Sequence, residues 1–171
     1  MVVPDNVLFE GGAGEEIRRK LLERCDVHTL LRLPTGIWYS PGVTANVLFF
    51  DKKPKSKKPA TRELWVYDLR TNKNFTLRQK PITDADLSEF VNLYHAEDRA
   101  RSRRESERFK RFSHAELMDR DKANLDIFWL RDDSLGGVDK LARPEELASA
   151  ILRDLADAMK AFGEVEQELK R

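Results

Sequence analysis

The sequence predicts an α/β fold followed by a helical C-terminal extension, and three observations carry that prediction. The first third reads as strand, helix, strand, loop and strand, in VVPDNVLFEGG, the helix EEIRRKLLERC and LRLPTGIWYSPGVTANVLFFDK. The runs TLL and VLFF are apolar almost without interruption, as in strands covered on both faces. From Pro144 onward, Ala148, Ile151, Leu155, Ala158, Phe162, Val165 and Leu169 recur at spacings of three and four, a heptad-like seam.

Taken in order, Val2 and Val3 run straight from the initiating Met into Pro4 and Asp5, so VVPDNVLFEGG reads as an inner strand cut from a larger sheet, and the chain as a piece of a larger protein. Gly11, Gly12 and Gly14 interrupt it. Glu15 to Arg24 then carries Ile17, Leu21 and Leu22 on one face, with acids first and bases last, an order that suits a helix dipole. Val27 to Leu33 and Ala45 to Phe50 give two buried strands, and Glu63 to Leu69, which alternates, gives a more exposed one. After Pro81 the period changes to that of helices. Thr83 with Asp86, and Ser113 with Glu116, have the spacing of capping boxes. Residues 1–80 are thus expected to form the sheet, 81–135 a helical and irregular wrapping region, 136–143 a linker around Gly136 and Gly137, and 144–171 a long amphipathic helix. At 1.5 Å per residue about 25 residues of it would reach about 38 Å, enough either to fold back on its own domain or to dock a partner chain.

Charge and composition narrow the function. Charged residues make up 36% of the chain, yet the formal net charge is only +1, so distribution matters more than total. Lys52 to Arg62 holds five lysines and an arginine with no acid, whereas 144–171 holds seven acids against four bases. RARSRRESERFKR lies in a stretch from Glu97 to Arg111 with seven bases against four acids; it reads as a solvated helix or irregular insertion, or as a phosphate-contacting patch. One cysteine, Cys25, leaves no internal disulfide and reads as a packing residue. No apolar run spans a bilayer and no signal peptide is visible, which points to a cytoplasmic setting without membrane contact.

Chemistry-bearing motifs are sparse. His28, His95 and His114 lack metal-ligand spacing, a lone Pro4-Asp5 is a weak catalytic pattern, and GGAG has neither the dinucleotide fingerprint nor the P-loop lysine, which argues against a small nucleotide-binding oxidoreductase. The loop PTGIWYSPG is the better candidate. Gly36 and Gly42 permit sharp backbone around Trp38 and Tyr39, whose rings either plug the end of a sheet or offer a stacking surface for a nucleobase.

VVPDNVLFEGG, the helix EEIRRKLLERC, HTLLRLPTGIWYSPGVTANVLFFDK, WVYDLRTNKNFTL, the helix at TDADL and LDIFWLRDD resemble, in this order, the latter part of the DNA adenine-N6 methyltransferase subunit (the M subunit) of type I restriction-modification systems, in particular the enterobacterial K-type subunit. The resemblance implies the C-terminal part of an S-adenosylmethionine-dependent, Rossmann-like sheet, seven-stranded in the whole enzyme with one antiparallel strand, and a long unpaired edge where it is cut. It also implies methyl transfer to adenine N6 in double-stranded DNA. In such enzymes a glycine motif after an early strand binds S-adenosylmethionine, and an Asn-Pro-Pro-aromatic motif holds the adenine amine. Neither occurs here, so the resemblance implies a fragment with both upstream of Met1, no catalytic or cofactor-binding residue in this chain, and no activity or cofactor for it alone. Trp38 or Tyr39 would stack the extruded base, with Gly36 and Gly42 supporting the loop. The helix carrying Ile151, Leu155, Phe162 and Leu169 would meet the specificity subunit, in a complex with a second M subunit and a restriction subunit. The alternative is a non-catalytic α/β binding or assembly module that keeps this architecture.

Overall fold

Alternation along two central strands organises the molecule. In the computed structural model, which describes residues 1–131 except Pro41 and Ala100, together with Leu152, Leu155 and Met159, the strands β2 (Cys25–Arg32) and β4 (Glu63–Asp68) pair in parallel from Thr29↔Trp65 to Arg32↔Asp68. Leu30, Leu64 and Val66 point to one face, and Leu31, Trp65 and Tyr67 to the other, as the two-residue period of a strand demands. The sheet has five strands, in the order β1 (Val2–Pro4), β3 (Ala45–Lys52), β2, β4, β5 (Phe109–Ser113). Strand β3 runs antiparallel between β1 and β2, so β1, β2 and β4 all point the same way.

Each face is covered. Helices α1 (Asn6–Phe9), α2 (Ala13–Arg24) and α4 (His114–Asp119), with the segment through Ile127, bring Leu8, Leu22, Leu117 and Leu125 onto the first face. Helix α3 (Asp84–Tyr94) lays Phe90 on the second, against Tyr67, whose hydroxyl donates to Glu89 at 3.0 Å. Both capping boxes form, Thr83 with Asp86 and Ser113 with Glu116, and these end-caps explain why α3 and α4 begin where they do.

Four expectations change. NVLF is a short helix and not strand, because Asp5 turns the chain immediately after β1. ELWVYDL is not an exposed strand: β4 is paired on both sides and Leu64 to Asp68 are all buried. The charged stretch after Arg99 is neither helix nor insertion alone, since Phe109–Ser113 closes the sheet as β5. The β1 edge of the sheet is stepped. Three-residue β1 covers only Ala45 to Val47, and the Met1 ammonium donates to the Leu48 carbonyl at 2.8 Å, leaving Phe49 to Lys52 without a neighbouring strand on that side among the described residues.

The chain divides into two units, Met1–Asp132 and Asp133–Arg171. In the second, Leu152, Leu155 and Met159 are helical and exposed. Among the described residues no helix is long and apolar enough to cross a membrane.

Candidate functional site

The carboxyl ends of β1, β2 and β4 lie together, the end of an α/β sheet where ligands ordinarily bind. Pro34, buried, stops β2 there, and the PTGIWYSPG loop begins. Gly36 has φ +81°, and a β-carbon on it would lie 1.9 Å from the Phe75 carbonyl oxygen, so the loop can pass the 75–76 backbone only as glycine. Gly42 also needs a positive φ, +80°, but nothing crowds it. The two aromatic rings between them part company. Trp38 packs against the core formed by Leu31, Leu33, Trp65 and Phe90, with its indole Nε1 buried and unpartnered among the described residues, whereas Tyr39 is 98% exposed.

An ion pair between residues 65 apart in the chain pins both ends of this loop. Asp5 receives two hydrogen bonds from the Arg70 guanidinium, each 2.8 Å, one from the Thr44 hydroxyl at 2.6 Å and one from the Asn46 amide at 2.7 Å. Arg70 Nε donates to the Leu33 carbonyl, where the loop starts, and Thr44 is where it ends. Burial alone would raise the Asp5 pKa. The hydrogen bonds from Arg70, Thr44 and Asn46, with the Arg70 charge, outweigh it and hold the carboxyl at about 2. Pro4-Asp5 is thus structural, since all its acceptor capacity is spent inside the protein.

Three further arginines are built into the body. Arg32, fully buried in β2, donates to the Ile127 carbonyl and the Asp126 carboxylate and carries the Phe128 ring 4.0 Å from its guanidinium carbon. Arg18 donates to the carbonyls of Val7, Glu10, Lys122 and Ala123. Arg103, from the charged stretch read as solvated or phosphate-contacting, is buried and donates to the carbonyls of Tyr94 and His28 and the Thr29 hydroxyl. An arginine inside an apolar strand such as VHTLLRL must find partners. That was the one legible sign of Arg32.

The described residues do not leave the glycine-rich turn before α2 open at Gly11 or Gly14. The Arg18 guanidinium donates to the Glu10 carbonyl just before that turn and to the Lys122 carbonyl, and β-carbons on Gly14 and Gly11 would meet the Arg18 and Lys122 side chains, each at 3.3 Å. Nor do the described residues gather three or more His, Cys, Asp or Glu side chains able to hold a metal ion. Cys25 is partly buried against the first core. Of the interface residues expected on the last helix, Leu155 is helical and 56% exposed, while Ile151, Phe162 and Leu169 lie outside the described residues.

Comparison with known proteins agrees with this architecture. The N-6 DNA methylase family model matches residues 1–128. The type I restriction enzyme EcoKI methylase subunit of Escherichia coli (strain K12) is 37% identical over 99% of the chain, and the StySJI methylase subunit of Salmonella typhimurium is 36% identical over 99%. The chain spans 38% of the length of each. The crystal structure of the EcoKI M protein superimposes with a TM-score of 0.69 at 36% identity, covering 99% of this chain and 40% of that one. A structure described as concerning complex assembly and conformational transition of the type I restriction-modification system gives 0.61 at 28% identity, covering 99% and 35%. An antiparallel strand inserted beside parallel ones, a glycine-bounded aromatic loop at their carboxyl ends and a family match over three quarters of the residues together establish that the chain, similar along its length to methylase subunits of type I restriction enzymes, belongs to the N-6 DNA methylase family.

Proposed function

We propose that this chain supplies the target-base stacking loop and the assembly helix of a type I modification subunit, which transfers a methyl group from S-adenosylmethionine to adenine N6 in double-stranded DNA. One observation carries the reading: Tyr39 stands 98% exposed on a loop whose two ends are clamped by Asp5 and Arg70, while its neighbour Trp38 is committed to the core. An exposed ring on a fixed support is what an extruded base needs, because stacking returns about 1–3 kcal/mol without reading base identity. Tyr39 is therefore the stacking ring, and Trp38 its anchor. The sequence carries no Asn-Pro-Pro-aromatic motif and no glycine motif of the kind that binds S-adenosylmethionine, and on that ground this chain alone is expected to transfer no methyl group. The specificity subunit, a second modification subunit and the restriction subunit are its partners, with exposed Leu155 supporting the specificity-subunit contact.

The test uses a full-length subunit carrying this sequence, assembled with its specificity subunit, on duplex DNA with 2-aminopurine at the target adenine. Tyr39→Ala is expected to lower both base-extrusion fluorescence and methylation about tenfold to a hundredfold, and Tyr39→Phe to preserve both. Unchanged extrusion in Tyr39→Ala would remove the stacking role. Leu155→Asp is expected to weaken co-purification with the specificity subunit; full retention would remove that contact.

A further inference from the structure

The opposite end of the sheet, where β3 ends and β4 begins, carries a ridge of unneutralised lysines. Residues 52–59, KKPKSKKP, are all exposed, and Lys52, Lys55, Lys57, Lys58 and Arg62 have no ion pair among the described residues. Lys53 differs: its ammonium lies 4.0 Å from the carboxylates of Asp26 and Asp51. The nearby acids are otherwise largely engaged. Glu63 accepts from Trp65 Nε1 and Arg111, Asp51 pairs with Arg99, and Asp98 accepts from Ser102; Glu23 and Glu97 make no ion pair among the described residues.

This loop is a held surface and not a loose tail. The amides of Ala60 and Thr61 donate to the Glu23 and Leu22 carbonyls at the end of α2, the Thr61 hydroxyl donates to the Cys25 carbonyl at 2.6 Å, and that hydroxyl in turn accepts from the Val27 amide. Pro54 and Pro59 fix φ on either side of the lysines. The anchored end also sets Arg24, in the last turn of α2, at the foot of the ridge. A cleft of about 850 Å³ runs alongside, with Lys53, Lys58, Arg62 and Arg99 on its walls.

We propose that this ridge binds the phosphate backbone of duplex DNA, independently of sequence, as a second contact remote from the stacking loop. The partner's identity as DNA rests on the function proposed above; the electropositive ridge itself does not. Between Lys52 and Pro59 there are only Lys, Ser and Pro, so no planar bidentate side chain is present to read base edges, and lysine is a point charge without arginine's planar fork. Such a surface selects charge density. Duplex DNA presents about one charge per 1.7 Å of axis, denser than an extended acidic peptide at about one per 3.3 Å. Strand β2, eight residues long, separates the two ends of the sheet by about 26 Å, so one duplex crossing both contacts would be held at the target base and again about 26 Å away from it.

The experiment titrates the 171-residue chain into a fluorescein-labelled 30-base-pair duplex of arbitrary sequence, by anisotropy, from 50 to 200 mM salt, with a polyglutamate peptide of equal charge alongside. Saturable duplex binding is expected, and the slope of log K against log salt should shrink by about 0.9 for each lysine removed, hence by about 3 in Lys55→Gln/Lys57→Gln/Lys58→Gln. These substitutions lie on an exposed loop, and an unchanged Tm will certify the fold. No duplex binding, a slope unaltered in the triple variant, or polyglutamate bound as tightly as DNA would each overturn the proposal. None of these readouts involves base extrusion, so the ridge and the Tyr39 assignment fail separately.

Discussion

At the carboxyl end of β1, β2 and β4 the charges are matched in fixed geometry: Asp5 is saturated by Arg70, Thr44 and Asn46, and Arg32 is held by Ile127, Asp126 and the Phe128 ring. At the opposite end five cations stand in water without an ion pair among the described residues, and Arg103 is held deeply, tied to the His28 and Tyr94 carbonyls. One end spends its charge on shape, the other keeps it for a partner. A loop that must present one ring at one place needs its supports neutralised internally, whereas a surface that meets a polyanion must not neutralise itself.

Three measurements sharpen that contrast. The largest effect is expected at Gly36, where alanine combines a positive φ with overlap onto the Phe75 carbonyl. Gly36→Ala should cost at least about 3 kcal/mol by denaturant unfolding, against about 1 kcal/mol for uncrowded Gly42→Ala. Equal losses would mean that φ, and not close approach, governs the loop.

Next comes the clamp. Asp5→Ala leaves the Arg70 guanidinium partly buried without its carboxylate and should cost about 3 kcal/mol. The same group predicts a pH dependence of defined sign. A carboxyl held at about 2 in the folded protein, against its usual 3.8, stabilises the fold above pH 4, and about 2 kcal/mol of that is lost as pH falls from 4 through 2. Asp5→Asn should flatten this acid limb, and an unaltered limb would show that Arg70 is satisfied without the charge.

The last effect lies at the other end. His28 is buried beside Tyr94 and Phe49; burial, with the charges of Arg99 and Arg103, lowers its pKa from 6.5 to about 4. The unfolded chain therefore takes up the proton first. Stability should fall by about 2–3 kcal/mol between pH 6.5 and 4, before the Asp5 limb begins, and His28→Gln should abolish that portion alone. A profile flat over this range in the unsubstituted chain would place the imidazole in contact with water.

Those charged contacts were the least legible part of the sequence. Strands β2 and β3 and helices α2 to α4 follow from apolar period and from side chains three residues apart, local information that survives in a linear string. Helix α1 is four residues and presents no period, and β5 lies in a run whose charge masks it. Asp5 and Arg70 are 65 residues apart, and nothing in either neighbourhood names the other. The Trp38 and Tyr39 pair was visible as a candidate site, but which ring is free depends on how Gly36 threads past Phe75, a matter of tertiary contact.

The staples that Arg18 and Arg32 make to residues 122–127 join positions 94 to 105 apart in sequence, and Leu125 donates its amide to the Leu8 carbonyl. Closing loops of that length is entropically costly and must happen before the first face of the sheet is sealed, so Met1–Asp132 is a high-contact-order unit that folds slowly. During synthesis the strands up to β4 emerge long before Ile127 is available to cover Arg32, and the nascent chain carries an uncompensated guanidinium in its sheet until the last of these residues leaves the ribosome.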